Sequence, residues 1–131
     1  MTDFEKNVKN INILLEKGDR ASIEEAEKKA KKLRIEVQSA ECLDRDAKIA
    51  EAEVILGVCQ TFLGKFDAAL KNLESALRKH ASLDILDLNY WNMAFKMFGI
   101  CKERTNVLPF AQSIIISFRE FRNNVRIGLG E

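Results

Sequence analysis

The sequence predicts an all-α domain of six helices arranged as three antiparallel hairpins. One proline and six glycines in 131 residues leave little room for a β-rich fold with many tight turns. Apolar residues recur at helical spacing along nearly the whole chain, and capping residues punctuate them. Small residues also stand where helices would touch: Gly57 mid-helix, Gly64 at a turn, then Ala69 and Ala76 on the following helix. A mid-helix glycine costs about 1 kcal/mol relative to alanine, so Gly57 makes sense if a neighbouring helix packs against it.

Each helix has its own justification. The first begins at Thr2, with Glu5 at capping-box spacing, and its apolar stripe is Phe4, Val8, Ile11, Leu14 and Leu15. It ends at Gly18. The second starts at Asp19 or at Ser22, whose partner at capping-box spacing is Glu25, and it buries Ile23, Ala26, Ala30, Leu33 and Val37. The lysines on its other sides are interleaved with Glu24, Glu25, Glu27 and Glu36, which describes a solvated face. The third spans about 43–63 and stops at Gly64; the fourth spans about 66–79 with Ala69, Leu70, Leu73, Ala76 and Leu77 inward. Ser82 is the expected N-cap of the fifth, which reaches Glu103. The sixth starts near Asn106 and Pro109 and ends near Asn123–Asn124, with Phe110, Ala111, Ile114, Ile115, Phe118, Phe121 and Val125 on one arc. Its polar back suits a capping helix. The expected domain is therefore 1–125, followed by a tail, 126–131. Short connections make neighbours antiparallel.

Composition excludes several functions. The net charge of +1 provides no basic face for nucleic acid or an anionic membrane. The longest strongly apolar stretch, Phe110 to Phe118, is far short of the roughly 20 residues of a membrane span. The charged start MTDFEKNVKN has no apolar region of the secretory kind. Cys42, Cys59 and Cys101 form no CxxC pair, so reduced thiols in the cytoplasm are expected.

An internal repeat is visible. The shift that carries Gly57-Val58-Cys59 onto Gly99-Ile100-Cys101 also carries Ala69 onto Ala111, Leu73 onto Ile115 and Gly64 onto Asn106. Leu56-Gly57, Gly64, Phe66, Ala69, Leu73 and Ala76 together resemble the tetratricopeptide repeat, whose pattern runs W-x2-L-G-x2-Y, then A-x3-F, then P. The match is good over the middle hairpin, weaker over the last and loose over the first. Glu53, Gln60 and Ala81 stand where the family's Trp, Tyr and Pro are usual. The resemblance implies a short right-handed superhelix whose concave side holds a peptide or partner helix. Position by position, it implies that Val54, Val58 and Thr61 of the third helix and Lys96, Ile100 and Glu103 of the fifth line that side. Val54 and Val58 replace polar groups that a carboxylate clamp would need, so apolar grip is expected.

Chemistry has little to work with. His80, the only histidine, sits at a helix end with no nucleophile beside it, where the helix dipole alone would favour it. Cys59 and Cys101 lie in apolar stretches and read as small hydrophobes. Cys42, at a helix junction, is the thiol expected to be accessible. Asp44/Asp46 and Asp84/Asp87 fall at helix starts, where they stabilise caps. Gly128-Leu129-Gly130 is a tail and not a phosphate loop. No catalysis, cofactor or metal is expected.

The fifth helix is the most telling. Leu83, Leu86, Leu88, Tyr90, Trp91, Met93, Phe95, Met97, Phe98 and Ile100 leave only a strip of Asn89, Asn92, Lys96 and Glu103 polar. A helix apolar nearly all round must be covered on several sides. It is then either the central core helix, or a helix with one face turned to another chain. That face would carry Leu88, Trp91 and Phe95, or else Met93 and Ile100. The expectation is a cytoplasmic protein-interaction module that binds a protein or peptide, pairing with an identical copy being one form of it. The rival readings are a regulatory module of a larger signalling protein and a small secretion-type chaperone.

Overall fold

The computed structural model describes residues 2–41, 43–128 and 130, and among them the chain is helical throughout, with no strand. Six α-helices follow one another: α1 (Asp3–Lys17), α2 (Arg20–Ser39), α3 (Arg45–Phe62), α4 (Phe66–Leu83), α5 (Leu88–Glu103) and α6 (Ala111–Gly128). A single 3-10 turn, Leu108–Phe110, precedes α6.

Local chemistry sets most of the boundaries. Thr2 Oγ1 accepts from the Glu5 N–H at 3.2 Å, and an Asp19 carboxylate oxygen accepts from the Ser22 N–H at 3.0 Å. The cap of α2 is therefore Asp19, and Ser22 lies within the helix. Gly18 and Gly64 close α1 and α3 with φ of 74° and 75°, a conformation glycine adopts without cost to a side chain.

Two boundaries differ from expectation. Ser82 does not cap α5; it remains inside α4, which runs to Leu83 and ends on Asp84 in the left-handed region. The cap of α5 is Asp87, accepting from the Tyr90 N–H at 2.9 Å. His80 Nδ1 accepts from the Leu86 N–H at 3.0 Å, so the histidine holds the turn between these helices. At the C-terminal end, Pro109 falls in the 3-10 turn, where its missing N–H is not needed. The helix after it runs past Asn123–Asn124 to Gly128, because both asparagines face solvent and nothing there competes for the backbone.

Consecutive helices pack on each other along the whole chain, and α3 also packs on α5. The central helix is α3. Every residue from Ile49 to Phe62 except Glu51 is buried. A Cβ on Gly57 would lie 2.6 Å from Leu73 Cδ2 and 2.7 Å from its Cγ, so α4 approaches α3 closer than any side chain at that site permits. Ala50, Ala52, Ala69 and Ala76 are fully buried on the same pair.

Polar groups tie this centre together. The buried Glu27 carboxylate of α2 accepts from Lys65 Nζ at 2.8 and 3.0 Å. Glu53 accepts from Lys79 Nζ at 2.9 Å. Arg34 of α2 donates to Asn72 Oδ1, and Asn72 Nδ2 donates to Gln60 Oε1 at 2.8 Å, a chain that links α2, α4 and α3. Glu53 and Gln60 are thus both satisfied across helices.

The last helix meets the first. Gln112 Nε2 donates to the Lys17 carbonyl at 3.0 Å, and Arg119 pairs with Glu16 at 3.0 Å. A Cβ on Gly18 would collide with Gln112 Cγ at 2.5 Å. In a pile where each hairpin touches only its neighbours, α1 and α6 would stay apart. Here their contact closes the helices into a ring.

Candidate interaction surface

The outward side of α5 is where apolar residues and solvent meet. Met93, Ala94, Met97 and Cys101 bury the inner side of the helix. Turning 100° per residue from them, Leu88, Phe95 and Gly99 fall on the opposite side, with Trp91 beside them. Leu88 is 52% exposed, Trp91 37% and Phe95 60%. The Trp91 and Phe95 rings touch, with centroids 5.1 Å apart and planes inclined at 41°. One turn further on, the space a Gly99 side chain would occupy is empty to 4 Å. The stripe is therefore bulky over its first half and bare backbone at Gly99.

Charge is unevenly distributed along the stripe. At its N-terminal end stand the exposed Asp84 and Asp87. At its C-terminal end stand Lys102, with Nζ 5.3 Å from the Phe98 ring centre, and Arg104, paired with Asp67 at 3.1 Å. Glu103 is the one carboxylate among them.

The other expected site residues divide. Val54, Val58 and Thr61 are within 1% of complete burial, so they line no open face. That corrects the concave-side expectation: α3 is covered by α2, α4 and α5 at once. Thr61 spends its hydroxyl on the Gly57 carbonyl at 2.7 Å and lies 3.1 Å from Cys101 Sγ. Met93 is buried as well, which separates it from Ile100, half-buried on the next turns. Lys96 and Ile100 border a depression of about 210 Å³ between α5 and α6, floored by Ile114 and Phe118. Lys96 and Glu103 are exposed. Of the two faces weighed for the fifth helix, the one carrying Leu88, Trp91 and Phe95 is open, and the central-helix role belongs to α3. Cys42 lies outside the described residues.

The groups whose titration is displaced lie off the stripe. Burial, then the charges of Asp87 and Asp44, push the Glu51 carboxyl up to about 7, with Lys48 opposing. Burial and the charges of Glu51 and Asp87 likewise raise the Tyr90 hydroxyl. Burial raises the Cys59 thiol, and it raises Cys101 against the opposing Thr61 hydrogen bond and Arg104 charge. Neither thiol has the character of a reactive thiolate. His80 has Nδ1 engaged by the backbone, and its nearest acid oxygen, on Asp84, is 3.8 Å from Nε2. Among the described residues no group of three His, Cys, Asp or Glu side chains is placed to hold a metal ion, and no helix is long and apolar enough to cross a membrane.

Gly99 is the site residue that sequence reasoning passed over. Its repeat partner Gly57 points to a packing role, yet a helical wheel sets Gly99 beside Leu88 on the outer arc, on the side away from Phe95. No family model, curated protein or solved structure matches the chain.

Proposed function

We propose that this chain is a non-catalytic, tetratricopeptide-like interaction module of the cytoplasm that binds a protein partner through the outer face of α5. The observation that carries the reading is the Trp91–Phe95 ring pair, held on the side of α5 opposite the core. Indole and phenyl rings cluster at the centres of protein interfaces because they bury much apolar area for few rotatable bonds. An exposed patch of this kind costs solubility when nothing covers it.

The inner side of the helices offers a partner less. Its most apolar residues are spent on the core of α3, and α6 bridges α1 and α5. The mechanism is then burial of a partner's apolar side chains over Leu88, Trp91 and Phe95, with Gly99 admitting close backbone approach.

Crosslinked pull-down from the native host, run in parallel on the wild type and on Phe95→Asp, tests this. Phe95 is largely exposed, so the variant keeps its helicity, and the set of captured proteins is expected to be lost. An unchanged set would overturn the assignment of this face.

A further inference from the structure

Resting on that assignment of the α5 face, we infer that its occupant is a second copy of this chain, packed antiparallel along α5 so that Leu88 of each copy seats over Gly99 of the other. Three features of the stripe are complementary to the same stripe reversed. Two antiparallel helices bring together residues whose numbers sum to a constant. Setting Leu88 opposite Gly99 puts Phe95 opposite Asn92 and Trp91 opposite Lys96 of the other copy, so the two ring pairs fall within one residue of each other along the axis. Leu88 of each copy then covers the bare backbone of its partner, and the empty space over Gly99 receives a side chain.

The second feature is charge. Reversal brings Lys102 to the turn bearing Asp84 and Asp87, while Asp84 itself falls opposite Glu103 and Arg104 stays with Asp67. A parallel pair would instead stack Asp87 on Asp87 and Lys102 on Lys102, leave Gly99 facing Gly99 across a gap, and align the two helix dipoles unfavourably. The third feature is symmetry. An antiparallel pair of identical faces closes on a two-fold axis and uses both patches completely, so assembly stops at two.

Extent argues for a modest affinity. A helix of 16 residues is about 24 Å long. That is a small contact beside the ~800 Å² per partner of a standard interface. The pair is therefore concentration-dependent.

The test is disulfide trapping in a glutathione buffer, where only thiols held close accumulate a bond. In a Cys42→Ser background, Leu88→Cys and Gly99→Cys are prepared separately, and Cys59 and Cys101 stay silent because they are buried. A crosslinked dimer forming only when the two variants are mixed supports the antiparallel pair. A dimer forming with Leu88→Cys alone shows parallel packing and overturns it. No dimer in any sample, with the Trp91 emission of the wild type unchanged on concentration, overturns self-pairing; the pull-down on Phe95→Asp then decides separately whether the face binds another protein. As an independent check that introduces no thiol, Gly99→Leu fills the gap with a good helix former. It is expected to raise the dissociation constant about tenfold or more at unchanged helicity, and an unaltered constant would contradict the seating of Leu88.

Discussion

Gly57 and Gly99 occupy matching places in the repeat, each two residues before a buried cysteine, yet their surroundings are opposite. Beside Gly57 there is no room for a Cβ, because Leu73 of α4 already fills the site. Beside Gly99 there is nothing within 4 Å. The same residue type therefore serves packing within the chain at one position and leaves a vacancy on the surface at the other. The lesson extends to the helices that carry them. Although α5 holds the Trp, the Tyr and the long apolar run, α3 is the buried one, since small residues let three helices close around it. Bulk on α5 exceeds what its neighbours can cover, and the surplus faces outward.

Alanine at each glycine breaks the comparison most directly. Gly57→Ala forces the fully buried Leu73 to move, an overpacking cost of about 1–3 kcal/mol that outweighs the roughly 1 kcal/mol gained in helix propensity. The expected result is a lower denaturation midpoint with an unchanged slope in urea. Gly99→Ala meets no neighbour and gains up to about 1 kcal/mol of fold stability. Shifts of the same sign at the two positions would erase the distinction.

A smaller effect sharpens the contrast between the inner and outer sides of α5. The Glu51 carboxyl is raised from an ordinary 4.5 to about 7, chiefly by burial. The folded state therefore holds a proton that the unfolded chain releases between those values. Stability falls as pH rises through that window, and below 4.5 this group contributes no pH dependence. Glu51→Gln is expected to flatten the profile between pH 4.5 and 7 and to melt above the wild type at pH 8. A wild-type melting temperature that rises from pH 5 to 7 while the variant's stays level would refute the role given to Glu51.

The legible parts of the fold were those set by local signals. Helices α1 to α4 follow from apolar spacing and nearby caps such as Thr2, Asp19 and Gly64, and the closeness at Gly57 follows from its cost in a helix. The start of α5 was hidden because Ser82 looks like a cap while Asp87 and the His80–Leu86 hydrogen bond set the turn. The centre of the domain was misplaced for another reason: hydrophobicity reports what a helix could bury, whereas neighbours decide what it does bury. Val54, Val58 and Thr61 went from groove to core on that ground. The Arg34–Asn72–Gln60 chain and the Gln112–Lys17 contact join residues far apart in sequence, which periodicity does not encode. On the candidate face, Leu88, Trp91 and Phe95 were legible as one of two options, and exposure chose between them.

Sedimentation of the wild type and of Phe95→Asp over a wide concentration range bears most directly on the outward face of α5. The wild type is expected to move from the 14.9 kDa chain toward twice that mass as concentration rises, while Phe95→Asp stays at one chain with the same helical signal. A wild type that sediments as a single chain at every concentration would contradict the pairing of this face with a second copy.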